Sequence, residues 1–141
     1  MTTPRRDRTL RNALLANAGF STLTGAAMIA AASPLAAAFG VAEPLALTLV
    51  GANLLPFAAA LVWLARRPTV PVRLAAVASV LDFGWVAGTG LMALLAPTVM
   101  NGTGWLAAWA VAAVVASLGA AQLAGIRRTG LPPDPVRDGA G

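Results

Sequence analysis

The chain has 141 residues, 58% hydrophobic and only 11% charged, with ten arginines against five acidic residues for a net charge of +5. Soluble domains carry roughly a quarter of their residues as charges, so this composition excludes an ordinary water-soluble protein and points to lipid as the solvent. Cys, His, Tyr and Lys are all absent, which excludes thiol redox chemistry, disulfides, His- or Cys-ligated zinc or haem, palmitoylation and Schiff-base catalysis for this chain acting alone.

Four apolar stretches, at about residues 10–32, 44–65, 73–96 and 105–126, are separated by short connections. A helix needs about 20 residues at a rise of 1.5 Å to cross the roughly 30 Å hydrocarbon core, so each stretch is long enough to span once with some tilt. Arg5, Arg6, Arg8 and Arg11 precede the first stretch, Arg66, Arg67 and Arg73 lie between the second and third, and Arg127, Arg128 and Arg137 follow the fourth. The other two connections hold no arginine. Cytoplasmic loops collect basic residues, and the expected fold is an all-α, polytopic four-transmembrane-helix bundle in the inner membrane with both termini cytoplasmic. Residues 1–9 form its cytoplasmic N-terminal segment, 10–128 the transmembrane domain and 129–141 a flexible cytoplasmic tail.

Arg5 and Arg6 ahead of an apolar run, with Ala36, Ala37 and Ala38 beyond it, have the outline of a signal peptide. The run is too long for one, however, and Asn17, Ser21, Thr22 and Thr24 interrupt it. Thr9 is the expected N-cap of the first helix, which Ser33 and Pro34 end. Residues 34–39, closed by Gly40, allow one or two helical turns along the outer surface, or a plain surface turn, before Glu43 and Pro44 open the second span. Pro56 is expected to kink that span near Ala52 and Asn53. Trp63 with Arg66 and Arg67 anchors its inner end, and Pro68 and Pro71 prevent its continuation. The third span starts after Arg73 and stops before Pro97, and Trp105 and Trp109 mark the outer interface of the fourth.

Shifting the chain by about 62 positions lays Arg11 on Arg73, and by 61 lays Arg66 and Arg67 on Arg127 and Arg128. The chain therefore reads as two tandem helical hairpins, although two hairpins of equal orientation must both carry arginines at their inner ends in any case.

Asp82 lies nine positions after Arg73, roughly 13 Å along the helix and near the bilayer midplane. An ionised carboxylate there costs about 2.5 to 3.5 kcal/mol, so Asp82 must face the bundle, either protonated or supplied with donors. Helical periodicity puts Ser79, Asp82 and Thr89 on one stripe of the third span with Trp85 at its edge, and Asn17, Ser21 and Thr24 on one stripe of the first. The expectation is that these two helices face each other and that Asn17, Ser21 and Thr24 donate to Asp82, with Asn53 and Gln122 joining from the second and fourth. Such a network either fixes helix register or marks a functional site. Trp85, too deep for an interface anchor, fills the core or lines a pocket beside Asp82. Gly84 and Gly88 form a GxxxG pattern that permits close helix packing, within the bundle or between copies.

A basic start, a first span reading NAGFSTLTG, a third reading DFGWVAG and a terminal QLAGIRR give residues 10–128 a form that resembles the small bacterial four-helix inner-membrane proteins broadly termed DoxX-like. The resemblance implies that architecture. The group is associated with membrane redox and stress complexes, but no residue here matches a cofactor motif, so neither cofactor nor metal is expected. The arginines are dispersed beside spans rather than clustered, which favours anionic lipid headgroups over nucleic acid as partner. A larger membrane protein or a second copy is the other partner class. Without catalytic residues, the leading expectation is a non-catalytic structural or accessory subunit. The alternatives are a binder or carrier of a lipophilic molecule near Asp82, and a small proton-coupled transporter.

Overall fold

Prolines and one glycine punctuate the chain. A computed structural model describes residues 4–130, and these form α1 (Pro4–Ala30), α2 (Ala32–Phe39), α3 (Pro44–Ala65), α4 (Val72–Leu95) and α5 (Gly102–Gly130), with a 3-10 turn at Pro97–Val99 and no strand. α1 starts at Pro4, so Thr9 lies inside the helix and is not its N-cap. Proline is favourable at a first helical turn and the arginines and leucine that follow are good helix formers, so the helix extends past the apolar stretch. α2 ends at Gly40, whose φ of 70° makes it the one left-handed residue of the described chain and whose amide donates to the Ala36 carbonyl. α3 opens at Pro44 after an extended Glu43 and runs on through Pro56. The α4 start is capped by Pro71. From residue 131 the expected tail lies outside the described residues.

Four helices are long and apolar enough to cross a membrane: Arg8–Ala30, Pro44–Ala65, Val72–Leu95 and Gly102–Thr129. Their outward faces are aliphatic, with Leu23, Val80, Leu94 and Leu106 between 69% and 80% exposed.

α1 packs along α3 on one side and along α5 on another, and α5 packs along α4, while α3 and α4 scarcely touch. The helices therefore stand in an open arc, in the order α3, α1, α5, α4. The first and third spans, α1 and α4, stand across the arc from each other: their backbones do not pack together, yet the Asn17 side chain reaches Asp82. Side chains bridge them, Asn17 and Asp82 by a hydrogen bond and apolar residues of both helices through a shared cluster.

The arc is tight at the arginine end. Leu10, Leu14 and Ala18 of α1, Leu61, Leu64 and Ala65 of α3, and Ala75 and Ala78 of α4 form one buried cluster there. Arg11 straps it, donating from Nη1 to the Ala65 carbonyl at 2.6 Å and from Nη2 to the Pro68 carbonyl at 2.7 Å. These are orphan carbonyls at and beyond the end of α3, and a planar guanidinium reaches two of them at once. This arginine thus closes a helix end. Arg67 lies over the Trp63 ring, 3.9 Å from its centroid.

Close helix contacts rest on glycines outside the GxxxG pattern. A Cβ on Gly51 would lie 2.6 Å from the Gly25 carbonyl oxygen and one on Gly25 2.9 Å from that of Gly51, so α1 and α3 touch backbone to backbone there. Gly125 abuts Leu10 in the same way. Gly84 and Gly88, by contrast, have nothing within 4 Å of an added Cβ. The expectation that they pack helices inside the bundle is thereby corrected: they lie on the exposed side of α4, because the Asp82 stripe takes the inner one.

At the opposite end the arc is held by its connections. Asn101 ties α2 to α5: its amide nitrogen donates to the Phe39 carbonyl at 2.8 Å, its Nδ2 to the Ala38 carbonyl at 3.0 Å, and its Oδ1 accepts from the Gly104 amide at 2.9 Å. Between this tie and the packed arginine end the helices leave space.

Candidate functional site

Asp82 is 3% exposed, and Asn17 and Gln122 are fully buried beside it. Asn17 Nδ2 donates to Asp82 Oδ2 at 2.7 Å and Gln122 Nε2 donates to the same oxygen at 2.8 Å, joining α1, α4 and α5. Each amide is oriented by a serine. Ser21 Oγ donates to Asn17 Oδ1 at 3.2 Å, and Ser79 Oγ stands 3.5 Å from Gln122 Oε1 while also donating to the Ala75 carbonyl. With Asn17 Oδ1 engaged by the Ser21 hydroxyl and Gln122 Oε1 lying beside Ser79, both amides turn their NH2 groups toward Asp82, which serves in this network solely as an acceptor. Gly119 on α5 makes room for it, since a Cβ there would meet the Asp82 Cβ at 3.3 Å.

The structure thus brings together Asn17, Ser21, Ser79, Asp82 and Gln122, and leaves out three residues expected to join them. Asn53 is exposed on α3 and donates to the Leu49 carbonyl one turn back. Thr89 likewise donates to the Trp85 carbonyl. Both satisfy themselves within their own helix, the local alternative always open to short polar side chains. Thr24 makes no bond to Asp82. It stands one turn further along α1, at the boundary of two cavities.

The smaller cavity, about 390 Å³, is lined by Asp82, Ser21, Thr24, Asn53, Leu54 and Trp85 among others. The larger, about 480 Å³, lies toward the α2 end and is almost wholly apolar, with Met28, Phe39, Leu47, Met92 and Trp105 in its walls. Thr24, Val50, Trp85 and Val111 line both, so the two are adjoining chambers of one cleft. Trp105 is fixed by its indole nitrogen donating to the Pro97 carbonyl at 2.8 Å.

The cleft opens sideways. Leu49 and Asn53 of α3 and Leu81 and Trp85 of α4 line the smaller chamber and are exposed, on the two helices that scarcely touch. From Asp82, at the floor of the cleft, to Met92 in the larger chamber is ten residues of α4, roughly 15 Å. The result is a long apolar slot with one acid at its inner end, open toward the space between α3 and α4.

Neither a protein-family model, nor a curated protein, nor a solved structure matches this chain. Sequence reasoning missed the gap between α3 and α4 and the chambers behind it. The only signal was compositional: along the half away from the arginines, small residues such as Ala27, Ala46, Ala107 and Ala108 line the chamber where a filled core would need larger ones.

Proposed function

We propose that this protein is a non-catalytic inner-membrane bundle that holds a lipophilic small molecule in the cleft between α3 and α4. The observation that carries this reading is the sideways opening: apolar chambers of about 390 and 480 Å³ that communicate with the aliphatic surface through a gap between two helices. Ligand sites are typically concave and apolar, of about 300 to 1,000 Å³, with a few polar groups that fix orientation. A solute dissolved in the bilayer reaches such a slot without entering water.

In this reading the arginine end faces the cytoplasm, as the distribution of basic residues favours, and the arc consists of two tandem helical hairpins. The cleft then opens in the outer half of the membrane, with Asp82 near the midplane. The resemblance to DoxX-like proteins contributes architecture and no activity.

Photolabelling with an alkyl diazirine in reconstituted bilayers tests it. The expected result is labelling concentrated on residues 46–57 of α3 and 81–92 of α4. Labelling spread evenly over outward residues such as Val77, Leu94 and Leu106 would return the protein to the accessory-subunit reading.

A further inference from the structure

Asp82 directs only one of its oxygens into the network. Both amide donors converge on Oδ2, and among the described residues Oδ1 accepts no hydrogen bond; it is not sealed in the core but keeps accessible surface, on a residue that lines the smaller chamber. Nor has the carboxylate an ion-pair partner among the described residues. Among the described residues Arg8, Arg11, Arg66, Arg67, Arg73, Arg127 and Arg128 lie at the tight end, with Arg73 nine residues back along α4, roughly 13 Å away.

This acid therefore leaves two needs open, a donor for Oδ1 and a positive charge at membrane depth. Buried charges are otherwise paired, and an accessible acceptor in an apolar chamber is where a ligand donor gains most. One turn further along α4, the Trp85 ring lines both chambers, an aromatic face of the kind that attracts cations. The Thr24 hydroxyl adds a polar atom at the same junction, for unlike Thr22, Thr48 and Thr89 it makes no bond to its own helix. Beyond that point the walls are apolar as far as Met92 and Val99.

Resting on the proposed lipophile-binding function and narrowing it, we infer that the ligand is a lipophilic ammonium. Its N–H donates to Asp82 Oδ1, its charge lies against Trp85, and its hydrocarbon body fills the larger chamber. A neutral alcohol of equal length satisfies Oδ1 but supplies no charge, and a long-chain carboxylate places like charge beside Asp82. The slot thus discriminates by head group and is indifferent to fine detail of the tail.

The test uses the full chain in lipid nanodiscs, with tritiated decylammonium as probe, scintillation proximity as readout and empty nanodiscs as the correction for partitioning. Saturable binding is expected, displaced by unlabelled decylammonium at a concentration about tenfold or more below that needed for decanol. Asp82→Asn preserves the shape and an acceptor for Asn17 and Gln122 while removing the charge. It is expected to weaken decylammonium about tenfold, 1.4 kcal/mol at 25 °C, and decanol by clearly less, since the alcohol loses a hydrogen-bond acceptor but no charge partner. Equal displacement by decanol and decylammonium in the wild type would overturn the head-group assignment while leaving the lipophile reading standing. If no saturable binding of either is found, both fall. The wild-type comparison needs no variant, so it decides even if Asp82→Asn does not fold.

Discussion

Gly51→Ala adds one methyl group where α1 and α3 touch backbone to backbone. The new Cβ would lie 2.6 Å from the Gly25 carbonyl oxygen and 3.0 Å from Ile29 Cγ1 and Met28 Cβ, whereas ordinary contact begins at 3.4 Å. The obstructing atom is main chain, so no rotamer change relieves it. The helices must separate locally by roughly 0.8 Å, which loosens dispersion contacts on both sides of the crossing. Overpacking of this kind costs about 1 to 3 kcal/mol. Gly88→Ala is the matched control: it adds the same methyl on α4 with nothing within 4 Å, and a surface change away from such contacts stays within about 0.5 kcal/mol. Unfolding in mixed micelles of rising SDS fraction, followed by circular dichroism, measures both. The glycine assignment is refuted if Gly51→Ala unfolds at the wild-type SDS fraction, or if Gly88→Ala is destabilised as much.

Asn17→Leu removes one of the two donors to Asp82 Oδ2 and takes away the acceptor of Ser21. Hydrogen bonds between membrane helices average about 0.6 kcal/mol and reach about 1.7, so a loss of about 1 to 2 kcal/mol is expected in the same assay. Combining it with Gln122→Leu, which leaves the carboxylate without either donor, is expected to cost more than the sum of the two. Arg11→Met removes the strap across the end of α3. Charged hydrogen bonds contribute about 1.5 to 3 kcal/mol, less where solvent reaches them, and faster proteolysis within residues 66–71 is the expected sign. Arg11→Lys is expected to restore only part of the protection, because an ammonium lacks the planar fork that spans two carbonyls.

How much of this was legible in the chain depends on whether a feature is local or tertiary. Span lengths follow from hydropathy and the rise of a helix, and Pro44, Pro71 and Pro97 act where they stand in the sequence. The depth and stripe of Asp82, Asn17 and Ser21 follow from counting residues, which is why those side chains could be named before any contact was known. What counting cannot supply is which helix stands beside which. Asn53 was named for its depth and Thr89 for its stripe, yet each bonds its own helix. The GxxxG spacing of Gly84 and Gly88 is real but points outward, whereas Gly25 and Gly51, 26 residues apart in the chain, make the close crossing because two backbones happen to meet there. The cleft is harder still to foresee, since it exists through the absence of contact between α3 and α4.

The central claim is that this cleft is occupied by a lipophile. Native mass spectrometry of the protein released from membranes in a mild detergent tests it most directly, with wild type compared against Val50→Trp, which places an indole where the two chambers join. The wild-type protein is expected to carry a defined small-molecule adduct and the folded variant to lack it. A wild type free of adduct, or a variant retaining it at equal occupancy, would contradict the claim.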